Sequence, residues 1–145
     1  MNINIRNMRR EDAECVISMM RGFYASPAVF TNGSEEIFKN DVENCINDNP
    51  YLEGYIIEDT ESTIGYAMVA KSFSTEFGKR CIWIEDLYIK EEYRGYGIGK
   101  TFLDFIEARY ADAILRLEVE EENERAMKLY KKCGFTPLPY VEMKK

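Results

Sequence analysis

The sequence predicts a mixed α/β domain in which a central β-sheet is flanked by helices. Two observations lead to this class. In some segments apolar residues alternate with polar ones, and in others they recur every three or four residues. These segments follow the order strand, two helices, three strands, helix, strand, helix, strand, so the central strand-helix-strand unit is expected to be parallel and right-handed.

The N-terminal part is expected to hold one strand and two helices. Isoleucines alternate with polar residues over positions 2–7, the pattern of a half-buried strand. Positions 11–24 have apolar side chains at helical spacing and acidic residues in the first turn. After a loop of small residues at 25–33, Ser34 is the expected N-cap of the second helix.

The remaining chain contains most of the predicted strands. A polar turn at 59–62 separates two of them and indicates a hairpin. Gly134 is the expected end of the last helix, and Pro137 and Pro139 precede the last strand. The predicted elements are strands at 52–58, 63–72, 81–89, 113–119 and 140–143, a helix that follows a glycine loop at 94–100, and a helix at 124–133.

Length and composition favour one soluble domain covering residues 1–145. No apolar run approaches the roughly 18 residues of a membrane span, and the N-terminus lacks the apolar core of a signal peptide. We therefore expect a cytoplasmic protein without a membrane partner. The four cysteines form no Cys-x-x-Cys pair and are expected to remain thiols.

Charge and residue types exclude several kinds of chemistry. The chain has no histidine, which removes Ser-His-Asp triads, histidine bases and histidine-ligated metals, so proton transfer falls to carboxylates, tyrosine, lysine, cysteine or water. The net charge of −7 argues against nucleic acid as a partner. No metal site is expected.

The most informative stretch is the predicted strand 83–89 followed by Arg94-Gly95-Tyr96-Gly97-Ile98-Gly99-Lys100. Glycines before a helix N-terminus suit a phosphorylated cofactor, because exposed N–H groups can approach an anion. A P-loop would need glycine where Arg94 stands. A dinucleotide fingerprint would need glycine at Lys100 or at Phe102, so both nucleotide motifs fail.

The run Arg94-Gly95-Tyr96-Gly97-Ile98-Gly99 instead resembles the Arg/Gln-x-x-Gly-x-Gly/Ala loop of the GNAT superfamily of N-acetyltransferases. The resemblance extends over about residues 82–135. Its further matches, in order and spacing, are Leu117-Glu118-Val119, Asn123, Ala126 and Leu129-Tyr130-Lys131-Lys132-Cys133-Gly134-Phe135.

This resemblance implies the GNAT fold, with a bulged fourth strand that splays from the fifth, and acetyl-CoA as the cofactor. Tyr130 would donate a proton to the departing thiolate, and Asn123 would contact the pantetheine. Packing is the alternative role for Tyr130. Asn123 could also cap the last helix, which is compatible with a contact to the pantetheine. The cofactor-binding residues implied are Leu87, Tyr88, Ile89, Arg94, Gly95, Tyr96, Gly97, Ile98, Gly99, Lys100, Asn123 and Tyr130.

Three carboxylates are candidates for the base that deprotonates an amine. Glu85 and Asp86 match a Glu-Asp pair of spermidine/spermine acetyltransferases, and Glu118 matches a glutamate of ribosomal-protein N-terminal acetyltransferases. We favour Glu85 as the base, with Asp86, Tyr24 and Phe30 facing the acceptor. The other glutamates at 120–124 would attract a cationic acceptor or form a solvated strand end.

The sequence therefore predicts an acetyl-CoA-dependent N-acetyltransferase that works by direct attack of an amine on the thioester. The acceptor expected first is a small cationic amine or polyamine, and the alternative is a protein or peptide N-terminus. A non-catalytic acyl-CoA sensor with the same fold also stays open. So do acyl groups other than acetyl and the oligomeric state, for which a homodimer is possible.

Overall fold

The structure, a computed structural model, describes residues 1–145. Short 3-10 turns at Arg10–Asp12 and Glu91–Tyr93 precede the first helix and the glycine loop. No helix combines the length and apolar character that crossing a membrane requires. The strands are β1 (Ile3–Asn7), β2 (Leu52–Asp59), β3 (Ser62–Ser74), β4 (Lys79–Ile89) and β5 (Ile114–Leu117), and the helices are α1 (Ala13–Tyr24), α2 (Glu35–Ile46), α3 (Ile98–Arg109) and α4 (Glu124–Lys132).

The sheet has the order β1-β2-β3-β4-β5, with antiparallel neighbours up to β4 and a parallel β5. Its two faces are buried under different helices. Tyr55 and Ile57 of β2 pack with α3, whereas Ile56 between them packs with α1 and α2. The predicted mixed sheet with helices on both faces is confirmed, and the alternation of side chains divides the core into two layers.

β4 contains a bulge at Glu85. Asp86 pairs with Met68 of β3 and Ile84 pairs with Val69, so Glu85 has no opposite residue. The extra residue reverses the alternation of side chains. In a regular strand Asp86 would lie on the same face as Ile84, which packs in the α3 layer. Because of the bulge, Asp86 instead faces the α1 and α2 layer.

β4 and β5 stay together over a short distance only. Cys81 to Ile84 pair with Ile114 to Leu117, and β5 then ends. From Glu85 to Ile89 the β4 edge has no strand beside it on the β5 side. The predicted bulge and the splaying of the fourth and fifth strands are both present, and they open a crevice at the carboxyl ends of two parallel strands.

Local sequence signals account for several element ends. The Ser34 side chain accepts a hydrogen bond from the Ile37 amide at 3.2 Å, which confirms it as the N-cap of α2. Gly134 has φ of 93° and follows α4, and the Phe135 amide donates to the carbonyl of Tyr130. The hairpin turn between β2 and β3 also lies where the sequence predicts it, although most strand and helix ends differ by one or two residues.

The predicted strand at 140–143 is wrong, since no regular element follows α4. Pro137 and Pro139 lack N–H groups, so the segment that leads into it cannot form a continuous ladder. β5 is also only four residues long and offers a short edge for pairing. Val141 and Met143 are consequently 85% and 89% exposed.

A polar cluster around Glu53 attaches the end of α3 to the sheet. The Glu53 carboxylate accepts hydrogen bonds from Tyr110 and, at 2.5 Å, from Tyr55, and it forms an ion pair with Lys71 at 3.1 Å. Burial alone would raise the pKa of Glu53, but these hydrogen bonds lower it to about 2.

Replacing Glu53 with Gln is expected to destabilise the protein at neutral pH by about 3 kcal/mol, at 1.36 kcal/mol per pKa unit. Because the folded pKa is depressed, the contribution is complete above the unfolded value of 4.5 and is lost as the pH falls towards 2. Urea unfolding of both proteins between pH 7 and pH 2.5 measures the difference. Glu14→Gln, at an exposed position of α1, is the control. A difference that does not change with pH would contradict this role for Glu53.

Candidate functional site

A large cavity, which we call the glycine-loop cleft, has a volume of about 630 Å³. It lies where β4 loses its partner. One side is the end of β4 at Leu87, Tyr88 and Ile89, and the others are the glycine loop, the start of α4 and the loop after α1. The unpaired strand edge thus runs along the wall of a cavity large enough for a small-molecule ligand.

The glycine loop presents a run of free hydrogen-bond donors. The amides from Gly95 to Lys100 have no acceptor in the protein, because the first bond of α3 is made by the Thr101 amide to the carbonyl of Gly97. Gly95 and Gly97 have φ of 86° and 79°, which other residues rarely adopt. Unpaired amides at a helix N-terminus form an anion site, so this end of the cleft suits a phosphate group.

Close packing of α4 against α3 positions the opposite wall. A Cβ atom at Gly99 would lie 2.9 Å from the Leu129 side chain, so glycine allows this approach without a shift of Leu129. Asn123 caps α4, since its side chain accepts from the Ala126 amide at 3.3 Å. The predicted capping role of Asn123 is confirmed, and Asn123 also lines the cleft.

Tyr130 lies one helical turn beyond Ala126 and faces the glycine-loop cleft. Its ring packs edge-on against Phe135 at 5.8 Å between centroids, which fixes the side chain. The hydroxyl makes no hydrogen bond within the protein, and since no buried polar side-chain atom lacks a partner, this hydroxyl is open to the cleft. Burial raises the pKa of Tyr130. Tyr130 is therefore held as a neutral donor without a protein acceptor.

A second cavity of about 260 Å³, which we call the acidic pocket, lies on the α1 and α2 face of the sheet. The two cavities share no lining residue, but neighbours in the chain line them: Phe23 and Leu87 line the first, and Tyr24 and Asp86 line the second. The acidic pocket is lined by Tyr24, Asp41, Leu52, Met68, Ala70, Glu85 and Asp86.

Asp86 is the most tightly held carboxyl group of the acidic pocket. It is only 3% exposed, and its two oxygens accept hydrogen bonds from Tyr66 at 2.7 Å and from Tyr24 at 3.0 Å. Burial raises the pKa of Asp86, and the two hydroxyls counteract part of that rise. With both oxygens occupied, Asp86 orients its neighbours and contributes charge, but it is poorly placed to take a proton.

Glu85 and Asp41 are more accessible. The Glu85 side chain reaches solvent at the bulge, and dehydration at the pocket wall, followed by the charge of Asp86, raises its pKa. Burial and then the charge of Asp86 raise the pKa of Asp41 to about 6. Carboxylates with raised pKa values are stronger proton acceptors, and both of these line the acidic pocket.

Most residues named from the sequence come together around these cavities. Tyr96 does not line either cavity, and its side chain is 67% exposed. Glu118 lies outside both cavities, although its charge acts on Glu85. Phe30 is also outside them and 84% exposed. The glycine-loop cleft is lined by Leu87, Tyr88, Ile89, Arg94, Gly95, Gly97, Ile98, Gly99, Lys100, Asn123 and Tyr130, and the acidic pocket by Tyr24, Glu85 and Asp86.

Sequence reasoning missed Asp41 and Tyr66. Asp41 lies on the apolar face of α2, three residues after Phe38 and four before Cys45. A carboxylate within an apolar helical stripe could have been recognised in the sequence as a candidate buried functional group. Tyr66 lies in a continuously buried strand segment, and its partner Asp86 becomes apparent only through the register of β3 and β4.

Comparison with known proteins agrees with this geometry. The family model for the acetyltransferase (GNAT) family matches residues 17–135. A bovine thialysine N-epsilon-acetyltransferase is 40% identical over 82 residues, which span 54% of this chain and about half of that protein, 48%. A candidate ribosomal protein bS18-alanine N-acetyltransferase of Bacillus subtilis is 31% identical over 92% of this chain and 80% of its own length.

A solved structure agrees as well. The chain superposes with a TM-score of 0.78 on an acetyltransferase of Clostridium acetobutylicum determined with acetyl-CoA. The match covers 98% of this chain and 96% of that one, at 20% identity. At this identity the likeness establishes the shared fold.

Proposed function

The chain belongs to the GNAT family of acetyltransferases and is an acetyl-CoA-dependent N-acetyltransferase, and we propose that its acceptor is a small cationic primary amine. One observation supports this acceptor above others. The acidic pocket is lined by three carboxyl groups, and its residues Tyr24 and Asp86 are chain neighbours of Phe23 and Leu87, which line the glycine-loop cleft. Opposite charges thus favour a cationic amine beside the place where the cofactor binds. The bovine relative, named for its action on thialysine, is consistent with an amine acceptor.

The described residues fit coenzyme A. The free amides from Gly95 to Lys100 would hold its pyrophosphate, and the unpaired edge of β4 would run beside its extended arm. The Ile89 carbonyl already accepts a hydrogen bond from Arg94 at 2.8 Å. Acetyl-CoA supplies the acetyl group as a reactive thioester.

An amine with a lysine-like pKa near 10.4 must lose a proton before it attacks. At neutral pH this costs roughly 4–5 kcal/mol, at 1.36 kcal/mol per pKa unit. Glu85 is the base that we propose, because it lines the acidic pocket, has no hydrogen-bond partner within the protein and has a raised pKa. Asp86 and Asp41 would orient and attract the cation.

Tyr130 is the acid that we propose on the other side of the reaction. Its hydroxyl has no acceptor in the protein and faces the glycine-loop cleft, so it can donate to the sulfur that leaves. Because burial raises the pKa of Tyr130, a hydrogen bond to the developing sulfur charge is favoured over complete proton transfer.

A second acceptor is favoured by one observation. The Bacillus subtilis relative, named for the alanine of a ribosomal protein, matches 92% of this chain. An alanine N-terminus is also a primary amine, but the chain that follows it would need space beyond the acidic pocket.

Acceptor choice is tested by measuring free-thiol release with diamines, lysine analogues and an alanine-terminated peptide. Asp41→Asn is expected to raise KM for the dicationic amines about tenfold while KM for acetyl-CoA stays unchanged, because a pocket charge is lost. Glu36→Gln removes the same charge from the exposed start of α2 and is the control. Turnover of the peptide alone would overturn the small-amine proposal.

Glu85→Gln is expected to lower kcat/KM about 10²- to 10⁴-fold. Wild-type activity should fall as the pH drops through the raised pKa of Glu85, since the base must be ionised, and the variant should lose this acid limb. Profiles of kcat/KM against pH measure the effect. The same measurement on Glu118→Gln, a residue outside both cavities, compares Glu118 with Glu85 as the candidate base. An unchanged profile for Glu85→Gln would remove Glu85 from this role.

Tyr130→Phe is expected to lower kcat by about 10²-fold or more, because it removes only the hydroxyl. The ring contact with Phe135 is retained, so the dissociation constant of acetyl-CoA should change little. Steady-state kinetics and calorimetric titration separate the two effects. Wild-type kcat in the variant would exclude an acid role for this hydroxyl.

A further inference from the structure

Three basic side chains line the glycine-loop cleft, and two of them already have interaction partners within the protein. Arg94 donates from Nε to the Ile89 carbonyl at 2.8 Å and lies over the ring of Tyr88. Lys100 forms an ion pair with Asp104 at 2.7 Å. The third is Arg125, which has neither an ion pair nor a hydrogen bond within the protein.

Arg125 lies in the first turn of α4, two residues after the capping Asn123. Its Nη2 atom lies 3.8 Å from the position that a Cβ atom would take at Gly95. The guanidinium is therefore beside the amides of the glycine loop that have no acceptor in the protein. Two independent groups of donors, one from the main chain and one from a side chain, border the same end of the cleft.

The geometry points to Arg125 as a phosphate-binding residue for coenzyme A, an inference that rests on the use of acetyl-CoA and adds a residue outside the glycine loop. A guanidinium presents a planar set of donors to a phosphate and is never deprotonated. In a chain with a net charge of −7, an unpaired cation at the loop also offsets the repulsion of an anionic ligand.

Coenzyme A offers two phosphate groups to this guanidinium, the pyrophosphate and the 3′-phosphate. Dephospho-CoA lacks only the 3′-phosphate and so distinguishes them. If the pyrophosphate is the partner, loss of Arg125 weakens CoA and dephospho-CoA equally. If the 3′-phosphate is the partner, the effect is present with CoA and disappears with dephospho-CoA.

The experiment is calorimetric titration of the purified chain with CoA and dephospho-CoA, without an acceptor. Arg125→Gln is expected to raise the dissociation constant of CoA at least tenfold. Lys128→Gln, on the same helix but outside the cleft, should remain within twofold of the wild type. Arg125→Lys should recover part of the affinity, because lysine retains the positive charge but lacks the planar set of guanidinium donors.

The outcomes distinguish the role of Arg125 from the use of acetyl-CoA. An Arg125→Gln variant that melts at the wild-type temperature and binds CoA with wild-type affinity would overturn the role of Arg125. A loss in Lys128→Gln as large as that in Arg125→Gln would also overturn it, since general charge would then be the cause. Failure of the wild type to bind CoA at all would instead overturn the use of acetyl-CoA.

Discussion

The organisation of the site depends on one backbone irregularity, the extra residue Glu85 in β4. Without it Asp86 would lie with Ile84 in the α3 layer, away from the hydroxyls of Tyr24 and Tyr66. With it, Asp86 meets Tyr24 and Tyr66, and Leu87 takes the place in the α3 layer. A bulge costs a ladder hydrogen bond, and here it moves a charged side chain to the face that can accommodate it.

The second constraint is backbone left without partners. β5 ends at Leu117 while β4 continues to Ile89, and the loop amides from Gly95 to Lys100 have no acceptor. Buried N–H groups need partners, so open amides persist only where water or a ligand reaches them. A strand edge and a helix N-terminus therefore border one cleft. The strand edge suits the extended part of a ligand, and the helix N-terminus suits its phosphate groups.

Sequence alone predicted the parts of this arrangement that depend on local chemistry. The Ser34 cap and the glycine that ends α4 each follow from a residue type at one position, and the glycine loop follows from three glycines at alternate positions. What depends on pairing was harder to see. The strand expected at 140–143 does not form, because the neighbouring prolines lack N–H groups and β5 offers only a short pairing edge. The contact of Tyr66 with Asp86 depends on the strand register that the bulge sets.

Charge placement allows this acidic chain to present one cavity suited to an anion and another suited to a cation. Salt screens charges beyond about 8 Å at physiological ionic strength, so the local groups determine each site. The carboxyl groups of Asp41, Glu85 and Asp86 line the α1 and α2 side of β4, whereas free amides and Arg125 border the far end of the cleft. The two carboxyl oxygens of Asp86 accept hydrogen bonds from the hydroxyls of Tyr24 and Tyr66. On the proposed roles, the phosphate end lies at the glycine loop that follows Ile89, and the amine end lies near the bulge at Glu85.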